Sequence, residues 1–442
     1  MKTQQILSLN AFQPGETAGL ADDVAVLVER RKRSFGASSV LFYQQPLHVV
    51  RASGALIRTA DGADYLDLYN NVPSVGHCHP KVVEAVQKQV ALLNCHTRYL
   101  FDNVHDYAER LLATFPVPLS NLALTCTGSE SNDLALRIVA MATGGTGFIV
   151  TQTAYHGNTT AVTEVSPSSY KVGAPPKHVR TVPAPDPRAF PGDLGAGFAQ
   201  AVRDAIAALE ADGITFAGLL VDTIFSSDGV FADPPGFLKE GVDAVHAAGG
   251  LFIADEVQPG FGRTGSGMWG FARHGVVPDV VTMGKPMGNG IPMGGVVTRP
   301  ELLKGYCDAF GYFNTFGGNP VAAAAGLAVL DVIEQEGLIA HAAQVGGHIT
   351  ERLNAARARC PAIGAVRGAG LYLGVEIVDG ADGESADAAG ATALINALRE
   401  KRILIGAAGP LGHVLKVRPP LCLSLEQADM FVDAVEAILT PG

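Results

Sequence analysis

The sequence predicts an α/β protein whose larger domain is built on a mostly parallel, doubly wound sheet. Short apolar runs recur along the chain, such as "FAGLLVD" (Phe216–Asp222) and "LFIAD" (Leu251–Asp255), and they are continuous rather than alternating. Continuous apolar strands are typical of parallel sheets that are covered on both faces. Helical patterns separate several of these runs, and such alternation of strands and helices indicates a doubly wound fold.

The predicted elements divide the chain into a large domain over 70–325 and a smaller α+β domain over 326–442. In the large domain the predicted strands cover 122–127, 148–152, 216–222, 251–255, 280–284 and 294–298, with helices over 132–143, 198–213 and 237–250. An apolar helix from residue 320 ends this domain. Amphipathic helices then alternate with strand-like stretches over 370–378 and 413–421. Residues 1–69 carry a hairpin-like "TADGADY" turn, and we expect them to join the small domain.

Composition excludes several classes of function. The chain has 442 residues, 48% of them hydrophobic, and a net charge of -11, so a nucleic acid or an anionic membrane surface is not an expected partner. The start of the chain lacks the apolar segment of a signal peptide, and the apolar helix acquires charge at Asp331. Six scattered cysteines form no C-x-x-C pair. We therefore expect a reduced, cytoplasmic protein with free thiols.

The chemistry is expected where the strands end, because open α/β sheets bind ligands beyond the carboxyl ends of their strands. Those ends carry Gly128 and Ser129, Tyr155, Asp255 and Lys285. Singly, each has a structural alternative: a helix cap, core packing, an ion pair or a surface lysine. Together they suit a phosphate, a flat ring, a ring cation and an aldehyde. Pyridoxal 5'-phosphate has all four features.

Three other motifs are interpreted as structural. "GFGRTG" (260–265) fits G-x-G-x-x-G, but the glycine-rich "SGMWGFARHG" that follows has no helical period, so a loop is predicted. "GHCHP" (76–80) and "NCHTR" (94–98) lack the spacings of zinc sites, and no metal is expected. The "GKP" at 284–286 lacks the serine or threonine of a P-loop.

The chain resembles the class III aminotransferases of pyridoxal-phosphate fold type I. The resemblance rests on "YLDLYNNVPSVGHCHPKVVEAV", "TGSESNDLALR", "AYHGNT", "FIADEVQPGFGRTG", "TMGKPMGNGIPMGG", "YFNTFGGNPVAAAAGLAVL" and "LKVRPPL", which span nearly the whole sequence. It implies that Lys285 forms the Schiff base and moves protons, and that Asp255 keeps the pyridine nitrogen protonated. The other implied cofactor-binding residues are Tyr155 and Val257 on the ring faces, His156, Gln258 at the ring hydroxyl, and Gly128 and Ser129 at the phosphate. Thr315 would reach that phosphate from a second subunit, so a homodimer is expected.

The reaction is predicted from departures from the family pattern. Lys416 stands where an arginine for the substrate carboxylate is usual, Ser227 replaces the glutamate that pairs with it, and Asn158 replaces a further arginine. A subset of the family, the ethanolamine-phosphate and hydroxylysine-phosphate phospho-lyases, lacks the same groups. The resemblance to that subset favours elimination of phosphate from O-phosphoethanolamine, which gives acetaldehyde, ammonia and phosphate.

A phosphorylated substrate brings about two negative charges, which a pocket in an acidic protein must balance. The candidate substrate-binding residues are Lys416, Arg418, Arg98 and His77, in falling order, together with Asn158; surface or helix-end charges are the alternative interpretation. The activity itself has alternatives. These are an ω-amine transaminase with a keto-acid acceptor, a 5-phosphohydroxylysine phospho-lyase, and a non-catalytic pyridoxal-binding module.

Overall fold

The computed structural model describes residues 9–13, 19–38 and 40–440, over most of which helices and strands alternate. The helices of this described part are α1 Asp22–Phe35, α2 Pro80–Leu92, α3 Asp102–Leu112, α4 Gly128–Thr143, α5 Thr160–Glu164, α6 Leu194–Ala211, α7 Lys239–Ala247, α8 Pro300–Ala309, α9 Pro320–Gln335, α10 Leu338–Ala356, α11 Ala388–Glu400 and α12 Leu425–Leu439. The strands are β1 Val49–Ser53, β2 Leu56–Thr59, β3 Asp64–Asp67, β4 Asn121–Thr125, β5 Gly147–Thr151, β6 Val179–Val182, β7 Phe216–Asp222, β8 Leu251–Asp255, β9 Val280–Met283, β10 Gly294–Thr298, β11 Ile363–Ala369, β12 Tyr372–Ile377, β13 Ile403–Leu404, β14 Gly406–Ala408 and β15 Val414–Val417.

The central sheet has the strand order β4-β10-β9-β8-β7-β5-β6. Its strands run parallel except β10, which is antiparallel to both β4 and β9. The predicted mostly parallel sheet is confirmed. β10 departs from the parallel pattern because residues 284–293, which join it to β9, are too few for the crossover that parallel strands need.

Both faces of this sheet are covered, as the continuous apolar strands predict. Phe148 and Val150 of β5 point into a cluster with residues of α4, whereas Ile149 between them points into a cluster with α6 and α7. The apolar helix α9 is buried over most of its surface and packs against α2, α3 and α10. A helix that is apolar on all sides is stable only when it is surrounded in this way.

Two smaller sheets flank the central one. The first has the order β1-β2-β3-β13, in which β1, β2 and β3 are antiparallel and β13 pairs with β3 in parallel. The turn between β2 and β3 is the predicted one, and Asp61 accepts hydrogen bonds there from Thr59 Oγ1 (2.6 Å) and Ala63 N (3.1 Å). The second sheet is antiparallel with the order β11-β12-β15-β14, and α10 and α11 pack against it.

A buried glutamate joins the large domain to this second sheet. Glu376 of β12 accepts a hydrogen bond from Arg188 Nη2 at 2.8 Å, and it lies 3.4 Å from Arg367 Nη1 and 3.1 Å from His413 Nε2. Burial acts to raise its pKa, but His413 and Arg367 together hold the pKa of Glu376 far below its usual range. The Pro/Gly-rich stretch 183–197 that carries Arg188 is thus anchored rather than free, and its last residues already belong to α6.

Candidate active site

A cavity of about 290 Å³ lies at the carboxyl edge of the central sheet. The strands β4, β5, β7, β8 and β9 all end there, because parallel neighbours present the same end to one edge. The predicted residues that line the cavity are Gly128, Ser129, Tyr155, His156, Asp255, Val257, Gln258 and Lys285. The structure therefore brings together the side chains that the strand ends indicate.

Lys285 lies in the turn directly after β9, inside this cavity. Burial and then the charge of Arg418 lower the pKa of Lys285 from 10.5 to about 8. The glycine before it has no room for a side chain, since a Cβ on Gly284 would lie 2.9 Å from Gly128 N. The glycines of this turn thus bring the lysine close to the start of α4, and the amine is poised to react with an aldehyde.

Asp255 ends β8 and is held by three donors. Its Oδ2 accepts hydrogen bonds from Asn132 Nδ2 (3.0 Å) and His156 Nδ1 (2.7 Å), and its Oδ1 accepts one from Val257 N (3.0 Å). A carboxylate only accepts, so His156 Nδ1 carries the proton. The sequence suggested a cationic partner for this acid. In the structure, these hydrogen bonds fix the carboxylate, and Asp255 also lines the cavity.

The first turn of α4 forms a narrow cradle. A Cβ on Gly128 would lie 2.8 Å from Val257 Cγ2, and a Cβ on Gly157, whose φ is 142°, would lie 2.4 Å from Ser129 Oγ. The Thr127 side chain caps the helix by accepting from Glu130 N. Free backbone N–H groups at a helix start favour an anion, and only glycine allows this close approach.

The remaining predicted residues lie outside the cavity lining. Lys416 is buried on β15, and burial followed by the charge of Arg418 lowers its pKa well below the usual range. Arg418 Nη1 lies 3.1 Å from both Asn71 Oδ1 and Gln258 Oε1. Arg98 is exposed and its guanidinium lies 4.0 Å from the Phe313 ring centroid.

His77, Asn158 and Thr315 are also placed by their contacts. His77 Nε2 pairs with Asp67 Oδ2 at 2.7 Å, and His77 is not among the residues that line the cavity. Asn158 has an exposed side chain, and its backbone N donates to Ser129 Oγ at 3.2 Å. Thr315 is exposed in the loop before α9. The single chain therefore assembles the predicted cofactor residues except Thr315, and none of the substrate candidates lines the cavity itself.

Among the residues that sequence reasoning missed are two polar ones that act on Asp255. Asp222 ends β7 in register with Asp255 and lines the cavity; burial, and then the charge of Asp255, raise the pKa of Asp222 to about 6. Asn132 links Asp255 to the sheet, because its Oδ1 accepts from Thr282 Oγ1 at 2.7 Å. The strand-end rule would have found Asp222. No local signal marks Asn132, which sits one helical turn past the cradle.

The G-x-G-x-x-G match at 260–265 does not open an α-helix, as predicted. Residues 260–265 are a turn, and Arg263 donates from it to the carbonyls of Leu371 and Pro419. Within 9–13, 19–38 and 40–440, no group of three or more His, Cys, Asp or Glu residues could hold a metal ion. In the same part of the chain, no helix is both long and apolar enough to cross a membrane.

The chain matches one family model and several known proteins over most of its length. A family model described as aminotransferase class-III matches residues 40–439. A solved Arthrobacter phospholyase in complex with phosphoethanolamine is 45% identical, with a TM-score of 0.89, covering 93% of this chain and 99% of that one. A Drosophila melanogaster protein named alanine–glyoxylate aminotransferase 2-like is 39% identical over 93% of this chain and 86% of its own length. Ethanolamine-phosphate phospho-lyase homolog 1 of Caenorhabditis elegans is 36% identical over 94% of this chain and 93% of its own length.

The residues of the cavity fit pyridoxal phosphate. The cradle that a Cβ on Gly128 would fill suits the phosphate, and Asp255 suits the ring nitrogen. Val257 and Tyr155 line the cavity between these two groups, and Lys285 supplies the amine. The predicted cofactor and the predicted fold type are confirmed by the family match and by the solved phospholyase.

Proposed function

Since the chain belongs to the class III aminotransferase family, which depends on pyridoxal phosphate, we propose that it is an O-phosphoethanolamine phospho-lyase. The reaction converts phosphoethanolamine and water into acetaldehyde, ammonia and phosphate. The similarity to a phospholyase that binds phosphoethanolamine supports this proposal. So does the phospho-lyase homolog of C. elegans.

One observation carries the proposal: a buried lysine without an acidic partner. Lys416 is 3% exposed, and within the described ranges it forms no ion pair. The charges that act most strongly on it are those of Arg418, Asp222 and Lys285, and the last two residues line the cavity. A buried ammonium is costly unless it is paired. A phosphorylated substrate would supply the missing negative charge.

The position that would compete for Lys416 carries no acid. Ser227, which stands at the expected place of the family glutamate, is buried, and its carbonyl accepts from Gly409 N at 3.1 Å. The neighbouring Asp228 is turned toward Thr151 Oγ1 at 2.7 Å and toward Thr153. No carboxylate at the position of Ser227 therefore competes with an anionic ligand for Lys416.

In the proposed reaction each residue has one task. Bound pyridoxal phosphate supplies an aldehyde for the substrate amine and a ring that accepts an electron pair. Lys285 Nζ takes the proton from the carbon next to the substrate nitrogen, and the carbon–oxygen bond to the phosphate breaks at the neighbouring carbon. Asp255 holds a proton at the ring nitrogen. Lys416 balances the charge of the departing phosphate.

The test is turnover without an acceptor. The purified holoenzyme is incubated with phosphoethanolamine alone, and phosphate and acetaldehyde are measured. We expect equal amounts of both products, with no need for a keto acid. Lys416→Arg should retain more activity than Lys416→Met, because arginine keeps the charge. An absolute requirement for a keto acid would refute the lyase.

A transaminase is the second candidate, because a relative at 39% identity is named as an aminotransferase. It predicts no phosphate release and amine transfer to pyruvate or another keto acid. A 5-phosphohydroxylysine phospho-lyase is a third. Kinetics with the two phosphorylated amines side by side distinguish it from the lead proposal.

We also propose that the chain forms a homodimer. An exposed apolar patch combines the segments 92–100 and 310–316, in which Leu100 is 88% and Phe316 70% exposed. Arg98 and His96 contact Phe313 and join the two segments. Apolar patches of this kind mark interfaces. Thr315 lies within it, and would reach the cofactor phosphate of the partner. Light scattering of the wild type and Phe316→Glu tests the dimer, and cofactor affinity in Thr315→Val tests the contact.

A further inference from the structure

The amide of Gln258 is held between two other polar side chains. Its Oε1 lies 2.5 Å from Asn71 Nδ2 and 3.1 Å from Arg418 Nη1. Gln258 itself lines the cavity, immediately after Val257. Its Nε2 makes no hydrogen bond to any residue that the structure describes.

The chemistry of arginine fixes which end of this amide faces inward. A guanidinium only donates, so each amide next to Arg418 must present its oxygen to it. Arg418 Nη1 also lies 3.1 Å from Asn71 Oδ1, which leaves the Nδ2 of Asn71 to donate to Gln258. The two contacts agree, and both direct the Oε1 of Gln258 away from the cavity. Its NH₂ group is then the end that remains for a ligand.

Arg418 is placed rigidly enough to impose this orientation. It is 7% exposed, and its guanidinium lies 4.3 Å from the Tyr69 ring centroid. Its backbone N donates to Leu68 O at 2.9 Å. Arg263 donates to the carbonyl of the next residue, Pro419. The chain is thus held on both sides of Arg418, and the side chain is already engaged by protein groups.

We propose that Arg418 and Asn71 are positioning residues, which turn the NH₂ of Gln258 toward the ring oxygen of bound pyridoxal phosphate. In this arrangement Arg418 acts through Gln258, whereas the sequence suggested that it binds the substrate phosphate. A donor at the ring oxygen weakens that oxygen's hold on the proton that it shares with Lys285 Nζ. That proton then leaves at a lower pH. With the amide reversed, a carbonyl would face the oxygen and the proton would be held to a higher pH.

The test is a pH titration of the visible absorption band of the holoenzyme, without substrate. We expect Arg418→Met to raise the midpoint by about one pH unit, because a shift of that size corresponds roughly to the free energy of one hydrogen bond to a charged group. Arg418→Lys should keep the midpoint within a few tenths of a pH unit of the wild-type value, because a lysine side chain also only donates hydrogen bonds. Asn71→Leu changes no charge, and it should raise the midpoint by less than Arg418→Met does.

A double-mutant cycle with Gln258→Leu separates positioning from a direct charge effect. Asp255, Asp222 and Lys416 also act on Lys285, but they are unchanged in all four proteins and cancel. We expect Arg418→Met to shift the midpoint far less in the Gln258→Leu background. An equal shift in both backgrounds would mean that Arg418 acts by its charge alone, and would overturn the proposal.

Substrate kinetics provide a second test of the role of Arg418. An unchanged midpoint in Arg418→Met with a raised KM for phosphoethanolamine would make Arg418 a substrate ligand, and would also overturn the proposal. If Arg418→Met does not fold, Asn71→Leu decides: a raised midpoint supports the positioning role, and an unchanged one refutes it. None of these titrations needs the lyase reaction, so the proposal stands or falls independently of it.

Discussion

The lowered pKa of Lys285 predicts how fast the apoenzyme takes up its cofactor. Only a neutral amine attacks an aldehyde. With a pKa of about 8 the amine is neutral in about 9% of molecules at pH 7, against about 0.03% for an ordinary lysine at 10.5. The structure therefore predicts a reactive fraction about 300-fold larger than that of a surface lysine.

The assay is stopped-flow recombination of apoenzyme with pyridoxal phosphate, followed by absorbance from pH 6 to 10. Because the pKa is lowered, the rate should rise with pH and level off above about 8. Pyridoxal without its phosphate serves as the control for charge on the ligand, and should show the same midpoint. A rate that still rises tenfold per unit above pH 9 would show that burial does not lower the pKa, and the reasoning would fail.

Three further outcomes follow from the contacts described. Asp255→Asn keeps the hydrogen-bonding shape but not the charge, so kcat should fall about 10- to 100-fold while the cofactor stays bound. Gly128→Ala places a Cβ 2.8 Å from a Val257 methyl and should weaken cofactor binding in equilibrium titration. Glu376→Gln should cost about 2 kcal/mol in urea unfolding at pH 7. Because the pKa of Glu376 is depressed, that difference should shrink as the pH falls below about 4.

Each of these has its own control. For Gly128 the matched variant is Gly305→Ala in α8, where no atom lies within 4 Å of a new Cβ, and cofactor affinity should not change. Loss of the cofactor from Asp255→Asn would indicate that Asp255 binds the cofactor in place and does not act mainly through its charge. A pH-independent effect in Glu376→Gln would show that the ion pairs contribute nothing through charge.

The sequence predicts the strand ends well because two local signals coincide there. An apolar run stops and a polar residue follows, which places Asp255 and Lys285 without knowledge of the rest of the chain. β6 was not predicted, since its four residues at the sheet edge include only two buried ones. The direction of β10 depends on the length of a connection, not on composition.

Contacts between distant segments are where prediction from sequence ends. Arg418 and Gln258 are 160 positions apart, and nothing in either local pattern indicates that they meet. The same is true of Asn132, whose polar side chain in a helix has many ordinary explanations. Most of the candidate substrate residues are basic, and the sequence does not show which way a basic side chain points. Their roles stay predictions.

The pairing of β3 with β13 joins Leu66 to Ile403, so the first sheet to be synthesised is completed by one of the last strands. During translation the edge of β3 stays unpaired until roughly 340 further residues have been synthesised, and an unpaired edge can pair with other chains. A ribosome-bound or truncated chain that stops short of residue 403 should therefore need chaperone protection. Residues 40–325, expressed without the C-terminal part, should aggregate more than residues 70–325, which also lack β1, β2 and β3.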